Sequence, residues 1–310
     1  MSSPASSPLV IGSRGSPLAL YQAEAVRDAL IATAGIAPEA IAIAAIHTSG
    51  DRIQDRALAE AGGKGLFTKE IDEAQLAGRV QLATHSAKDL PTVLPDGLVI
   101  AGYLAREDAR DAFLSLTAPD LASLPAGSTV GTASLRRQAI IARARPDLKL
   151  TLLRGNVGTR LTRLREGSVD ATILAVAGLK RLGLMQHATS VLPLEQFVPA
   201  VGQGAIAMVA HADDAASQAL ATRIGDAATG IAVSAERAFL HVLDGSCRTP
   251  IAAYATLAGD RVTLRALVLR PDGSEAYEDC READASQAEQ LGRDMGLAIK
   301  ARLPAGFFQA

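Results

Sequence analysis

Tryptophan is missing from this 310-residue chain, and aromatic residues of all kinds make up only 3% of it. Such a chain is poorly equipped to stack single-stranded bases. Cysteine is nearly absent too. Cys247 and Cys280 alone build neither a disulfide framework nor a thiolate metal cluster, and they suit a reducing compartment. The five histidines (His47, His85, His187, His211 and His241) show no ligand spacing, so no metal is expected. A formal net charge of −2 leaves no overall bias toward nucleic acid or a membrane surface. No apolar run approaches the ~20 residues of a membrane span. The leading MSSPASSPL has neither a basic nor an apolar signal region, so a cytoplasmic protein is expected.

Against these absences stands a hydrophobic content of 48%, enough for two or three well-cored domains. Lysine is scarce: six of the 31 basic residues are lysine, leaving 25 arginines. Arginine is the planar, permanently charged fork that matches carboxylates and phosphates. Between Gly131 and Arg165 lie eight arginines and Lys149 against one acid, Asp147. Thr129-Val130 reads as a strand end, Gly131 to Ser134 as a turn, and Leu135 onward as a helix. Arg136 and Arg137 therefore fall in a first helical turn, where free N–H groups and the helix dipole already favour anions. The pattern repeats at once, with a strand from Lys149 to Leu153, then Arg154, Gly155 and Asn156 as N-cap. Val157, Leu161 and Leu164 form a buried stripe there, leaving Arg160 and Arg163 on another face. Two arginine-edged strand-to-helix junctions point to a multiply anionic ligand; a solvated basic surface is the plainer alternative.

A related junction occurs near the start. Leu9-Val10-Ile11 reads as a strand, and Ser16 with Pro17 opens a helix. Val10 to Arg14 echoes Thr129 to Ala133, which suggests two similar α/β domains, with Arg14, Ser16 and Gln22 facing ligand in the first. Thr48 to Phe67 is a polar, Gly-rich stretch too long for an ordinary connection, and serves equally as a lid carrying Lys64 and Phe67 or as a surface loop. Val80 to Ala83 reads as a buried strand followed by Thr84 to Thr92, with Lys88 and Asp89 at the carboxyl end where open α/β sheets keep their ligands. A turn-forming aspartate explains Asp89 as well. Arg106 to Arg110 reads as a crossover and Pro193 to Gly204 as a return linker, so two connections would make a hinged clamp. Beyond Ile231 a helix, three short strands and a long helix from Ala285 to Leu303 form a small α+β domain. Cys247 would lie on a loop there beside Arg248, which favours a thiolate; a buried small hydrophobe is the alternative.

GSRGSPLAL, HTSGD, GGKGLFTKE, HSAKDLPT, GTASLRRQA, RGNVGTRL, LAVAGLKRLG, PAVGQGAI and DGSCRTPI occur in that order between residues 12 and 251. Together they resemble the hydroxymethylbilane synthase, or porphobilinogen deaminase, family. The resemblance implies two hinged type II periplasmic-binding-protein-like α/β domains, 1–104 with 205–228 and 105–204, plus a small α+β domain at 229–310. It implies a monomeric transferase that joins four porphobilinogen molecules with loss of ammonia, then hydrolyses off the linear tetrapyrrole. The implied cofactor is a dipyrromethane joined by a thioether to Cys247, and the implied catalytic carboxylate is Asp89, buried and holding pyrrole N–H groups. Arg14, Ser16, Lys88, Thr132, Ser134, Arg136, Arg137, Arg154, Arg160 and Arg181 are implied to bind acetate and propionate groups, with Lys64 and Phe67 in a lid. The arginine-rich reading fits, because each added pyrrole brings two carboxylates. A non-enzymatic anion-binding clamp and a nucleic-acid binder are the competing classes; the missing export signal and the extra cysteine-bearing domain oppose the first, the net charge and few aromatics the second.

Overall fold

In a computed structural model, residues 8–49, 67–245 and 249–309 are described. Strand β1 (Leu9–Arg14) leads through Ser16 into α1 (Pro17–Ala29), where the Ser16 hydroxyl accepts from Ala19 N at 3.3 Å and Pro17 occupies the first turn. β2 (Ile41–Ile46), α2 (Lys69–Leu76), β3 (Leu82–Ser86) and β4 (Leu98–Tyr103) follow. Next come β5 (Asp111–Ser115), β6 (Thr129–Gly131), α3 (Leu135–Ala144), β7 (Lys149–Thr151), α4 (Val157–Arg165), β8 (Ala171–Ala175), α5 (Val176–Arg181) and β9 (Ser190–Val191). The chain closes with β10 (Ile206–His211), α6 (Ala215–Ile224), α7 (Ala227–Val242), β11 (Ile251–Ala258), β12 (Arg261–Leu269), β13 (Ala276–Asp284) and α8 (Ala288–Lys300).

These elements fall into two compact units, one ending at Arg106 and resuming over Ala205–Gly230, the other covering Glu107–Gly204 and the chain from Ile231 onward. The first unit holds a sheet of order β2-β1-β3-β10-β4. β1 pairs in parallel with β2 and β3, and β10 enters antiparallel between β3 and β4. The second unit holds a sheet of order β7-β6-β8-β5-β9, with β6 parallel to β7 and β8 and β5 antiparallel to β8. Both sheets thus read second, first, third, incoming strand, fourth, where the incoming strand follows the chain's passage from the other unit. This duplicated order is the type II periplasmic-binding-protein-like arrangement, and the echo between Val10–Arg14 and Thr129–Ala133 becomes the equivalence of β1 and β6. Because β1 and β3 are parallel, as are β6, β7 and β8, their carboxyl ends share one edge in each sheet, the edge that holds ligands in open α/β sheets.

Each unit has its own core. Ile11, Val26, Leu30, Leu82, Ile206 and Met208 cluster in the first. In the second, Phe113, Val130, Ile141 and Ile173 pack with Ala252, Leu267 and Leu269 of the antiparallel sheet β11-β12-β13. Burying side chains of this size contributes roughly 1.5–3 kcal/mol each. α8 packs Leu291, Met295 and Ile299 into a further cluster with Phe239 of α7. Gly292 permits that approach, since a methyl there would overlap the Ala235 carbonyl oxygen.

Some boundaries differ from the sequence reading. β3 begins at Leu82 and runs to Ser86 rather than spanning Val80 to Ala83, because β10 pairs with it as far as Ile206↔Ser86. That extension brings Thr84 and His85 into the sheet. The final helix starts at Ala288 after one tight turn and ends at Lys300. β5 and α6 were not anticipated.

Candidate active site

In the second unit, the β6–α3 junction is built by short-range hydrogen bonds. Ser134 caps α3 by accepting from Arg137 N at 3.4 Å, while Thr132 Oγ1 accepts from Ser134 N at 3.2 Å and Thr132 O from Gln138 Nε2 at 2.9 Å. Thr132 is buried. The two hydroxyls expected to meet ligand carboxylates therefore also shape the turn. Arg136 and Arg137 point inward, at 4% and 5% exposure, instead of lining an open surface. Arg136 NH2 donates to Asp111 Oδ2 at 2.6 Å, and Arg137 NH2 to Asp111 Oδ1 at 2.7 Å. Their NH1 atoms donate to Val198 O at 2.6 Å and Ile173 O at 2.8 Å. Gln203 Nε2 is a third donor to the Asp111 carboxylate, reaching Oδ1 at 2.9 Å.

Asp111 is fully buried at the start of β5. Burial alone would raise its pKa, but Arg137 and then Arg136 outweigh that and hold it well below the usual carboxylate range. Burial also lowers the pKa of Arg136, opposed by Asp111 and reinforced by Arg137. Asp111 was missed from sequence, because its arginine partners lie 25 and 26 residues on. The available signal was an acid heading an otherwise apolar run, Asp111-Ala112-Phe113-Leu114.

At the carboxyl end of β7, Asn156 caps α4 through Thr159 N at 2.9 Å. Arg154 stands half-buried beside it, and Arg160 folds back so that its Nε donates to Gly155 O at 2.9 Å. Arg181, at the end of α5 beyond β8, donates from NH2 to Gly204 O at 2.7 Å. The structure thus gathers Thr132, Ser134, Arg154, Arg160 and Arg181 at or just beyond the ends of three parallel strands.

In the first unit, the ends of β1 and β3 lie side by side. The Arg14 guanidinium stacks over the Phe67 ring at 4.3 Å. Ser16 is committed to its cap, and Gln22 is buried with its Nε2 donating to Ser86 Oγ at 2.7 Å, so neither is simply ligand-facing. His85 is buried, its Nε2 has no hydrogen-bond partner among the described residues, and burial followed by the Arg14 charge lowers its pKa to about 4. Beyond Ser86 a tight turn over Ala87–Asp89 is tied down by Ala87 N donating to Ala205 O at 3.0 Å. Lys88 is half-buried there and Asp89 exposed, which corrects the expectation of a buried carboxylate. The turn ends the strand's cover before Asp89 is reached. Lys64 and Cys247, with Arg248 and most of the expected lid, lie outside the described residues.

Two family models match the chain: the dipyrromethane cofactor binding domain of porphobilinogen deaminase over residues 9–219 and the porphobilinogen deaminase C-terminal domain over 231–301. The chain belongs to the porphobilinogen deaminase family. It is 54% identical over 298 residues to the porphobilinogen deaminase of Nitrobacter hamburgensis, covering 96% of this chain and 94% of that one. The Paracoccus denitrificans porphobilinogen deaminase is 50% identical over 301 residues, covering 97% and 96%. Among solved structures, the periplasmic aliphatic sulphonate binding protein SsuA from Escherichia coli aligns over 96% of this chain and 89% of its own, at 14% identity and a TM-score of 0.42. Porphobilinogen deaminases, or hydroxymethylbilane synthases, are transferases that work on a covalent dipyrromethane, so the chain is an enzyme of that class with dipyrromethane as its cofactor. The donors present suit this group. Arginines stand at the strand ends, as a polycarboxylate requires, and among the described residues Arg136 and Arg137 each keep a buried Nε–H without a hydrogen-bond partner. Among the described residues no helix is long and apolar enough to cross a membrane.

Proposed function

We propose that this chain condenses four porphobilinogen molecules head to tail, releases ammonia at each step, and hydrolyses off linear hydroxymethylbilane. The observation that carries the reading is the row of cationic and hydroxyl side chains at the ends of parallel strands, within the stretch matched to a dipyrromethane-binding domain. When bound, the dipyrromethane supplies an anchored pyrrole chain that accepts each new unit. Cys247 would hold it through a thioether, formed by the free cysteine's thiolate, which neighbouring Arg248 favours. Arg14, Lys88, Arg136, Arg137, Arg154, Arg160 and Arg181 pair with acetate and propionate groups, and Ser16, Thr132 and Ser134 add hydroxyl contacts where their caps and turns leave a lone pair or proton. Asp89 accepts pyrrole N–H bonds and offsets positive charge as ammonia departs. Lys64 and Phe67 cover the reacting end. On this reading the chain is a cytoplasmic monomer of three domains, 1–104 with 205–228, 105–204 and 229–310, hinged between the first two.

The test is the intact mass of the native protein and of Cys247→Ser. An excess of two pyrrole units in the native protein, absent from the variant, supports the reading. A native mass that stays unmodified after incubation with porphobilinogen overturns it.

A further inference from the structure

The node formed by Asp111, Arg136 and Arg137 carries one negative and two positive charges, so it buries a net charge of about +1 at neutral pH. A buried ion cluster of this kind is seldom worth more to stability than apolar side chains of the same volume. Its geometry is nevertheless tightly specified. Each oxygen of Asp111 takes one guanidinium, at 2.6 and 2.7 Å, and each guanidinium is held a second time by a main-chain carbonyl from a different segment. Neither fork can turn without breaking two charge-assisted bonds. What remains, among the described residues, is one buried Nε–H on each arginine without a hydrogen-bond partner. An unmatched buried charge with two unmatched donors is costly on its own and is relieved by one anionic oxygen group. Gln203, from the segment that closes the second unit's excursion, completes Asp111 by donating at 2.9 Å and also donates to Ala109 O at 2.7 Å.

We propose that Asp111 is a positioning residue for the reaction: it aims Arg136 and Arg137 and sets their joint charge so that the pair receives a single carboxylate of the pyrrole chain. The inference rests on the carboxylate-binding reading above and adds the residue that directs it. Charge alone and positioning make opposite predictions. Asp111→Asn raises the node's charge to about +2, which tightens anion binding if only charge matters; if aim matters, binding weakens.

The experiment loads apoprotein with porphobilinogen and follows intact mass against time for native protein, Asp111→Asn and a structural control, Glu236→Gln. Glu236 is a buried carboxylate that accepts from Gly202 N at 2.7 Å and from Ala255 N at 2.8 Å. All three are assayed well below their unfolding midpoints. Loading of Asp111→Asn is expected to slow about tenfold or more, the scale of a lost charge-assisted hydrogen bond, while Glu236→Gln loads as the native protein does. Native-like loading of Asp111→Asn, or equal slowing in the control, overturns the proposal. Failure of the native protein to load would instead sink the underlying reading. If Asp111→Asn does not fold, Gln203→Met keeps all three charges and removes the amide that donates to Asp111 and to Ala109 O; its KM for porphobilinogen is expected to rise about fivefold with kcat nearly unchanged. An unchanged KM would count against positioning.

Discussion

His85 offers a prediction that depends on the fold and not on the chemistry. Its imidazole is buried on β3 beside the Arg14 strand, and both burial and the Arg14 charge disfavour the protonated form. The folded-state pKa is about 4, against 6.5 for an unperturbed histidine. As pH falls below 6.5 the unfolded chain takes up a proton that the folded chain refuses until about pH 4. The sign follows: stability from this site is complete above pH 6.5, declines through the interval, and is lost by about pH 4. Moving a pKa that far corresponds to about 3 kcal/mol, with a slope of up to about 1.4 kcal/mol per pH unit. The perturbation is His85→Gln, which keeps a polar side chain and removes the titration. Urea unfolding of both proteins between pH 7.5 and pH 4 would give their stability difference, in which the many carboxylates shared by the two largely cancel. The native protein is expected to lose about 3 kcal/mol relative to the variant across the range. A difference that stays flat within about 0.5 kcal/mol, or an imidazole that titrates near 6.5 by NMR, would refute the argument.

Two further outcomes can be checked directly. Gly204 sits at φ +89°, and a methyl group there would overlap the Glu107 carbonyl oxygen, so Gly204→Ala should lower stability by about 3 kcal/mol or more; an unmoved denaturation midpoint would contradict the packing. Asp89 is exposed, so Asp89→Ala should change stability by no more than about 0.5 kcal/mol while abolishing ammonia release; near-normal release would remove Asp89 from the mechanism.

Much of the local architecture was legible in advance because its causes are local. Ser16, Ser134 and Asn156 each cap a helix through the N–H three residues on, and all three starts were readable from the residue types. The placement of arginines at strand-to-helix junctions follows from the same short-range rules, as does the echo that became the shared sheet order. The ordered motifs from Gly12 to Ile251 carried the family, its reaction and its cofactor. What sequence could not supply was direction. Arg136 and Arg137 turn inward because sheet order brings β5, and with it Asp111, against the first turn of α3; no local rule pairs residues 25 positions apart. His85 belongs to the sheet because β10, more than a hundred residues later, extends β3 to Ser86. Helix caps and first turns depend on neighbours three or four residues away, and the chain determined those by itself. The partner of a buried charge depends on which strands become adjacent, and only the tertiary fold decided that.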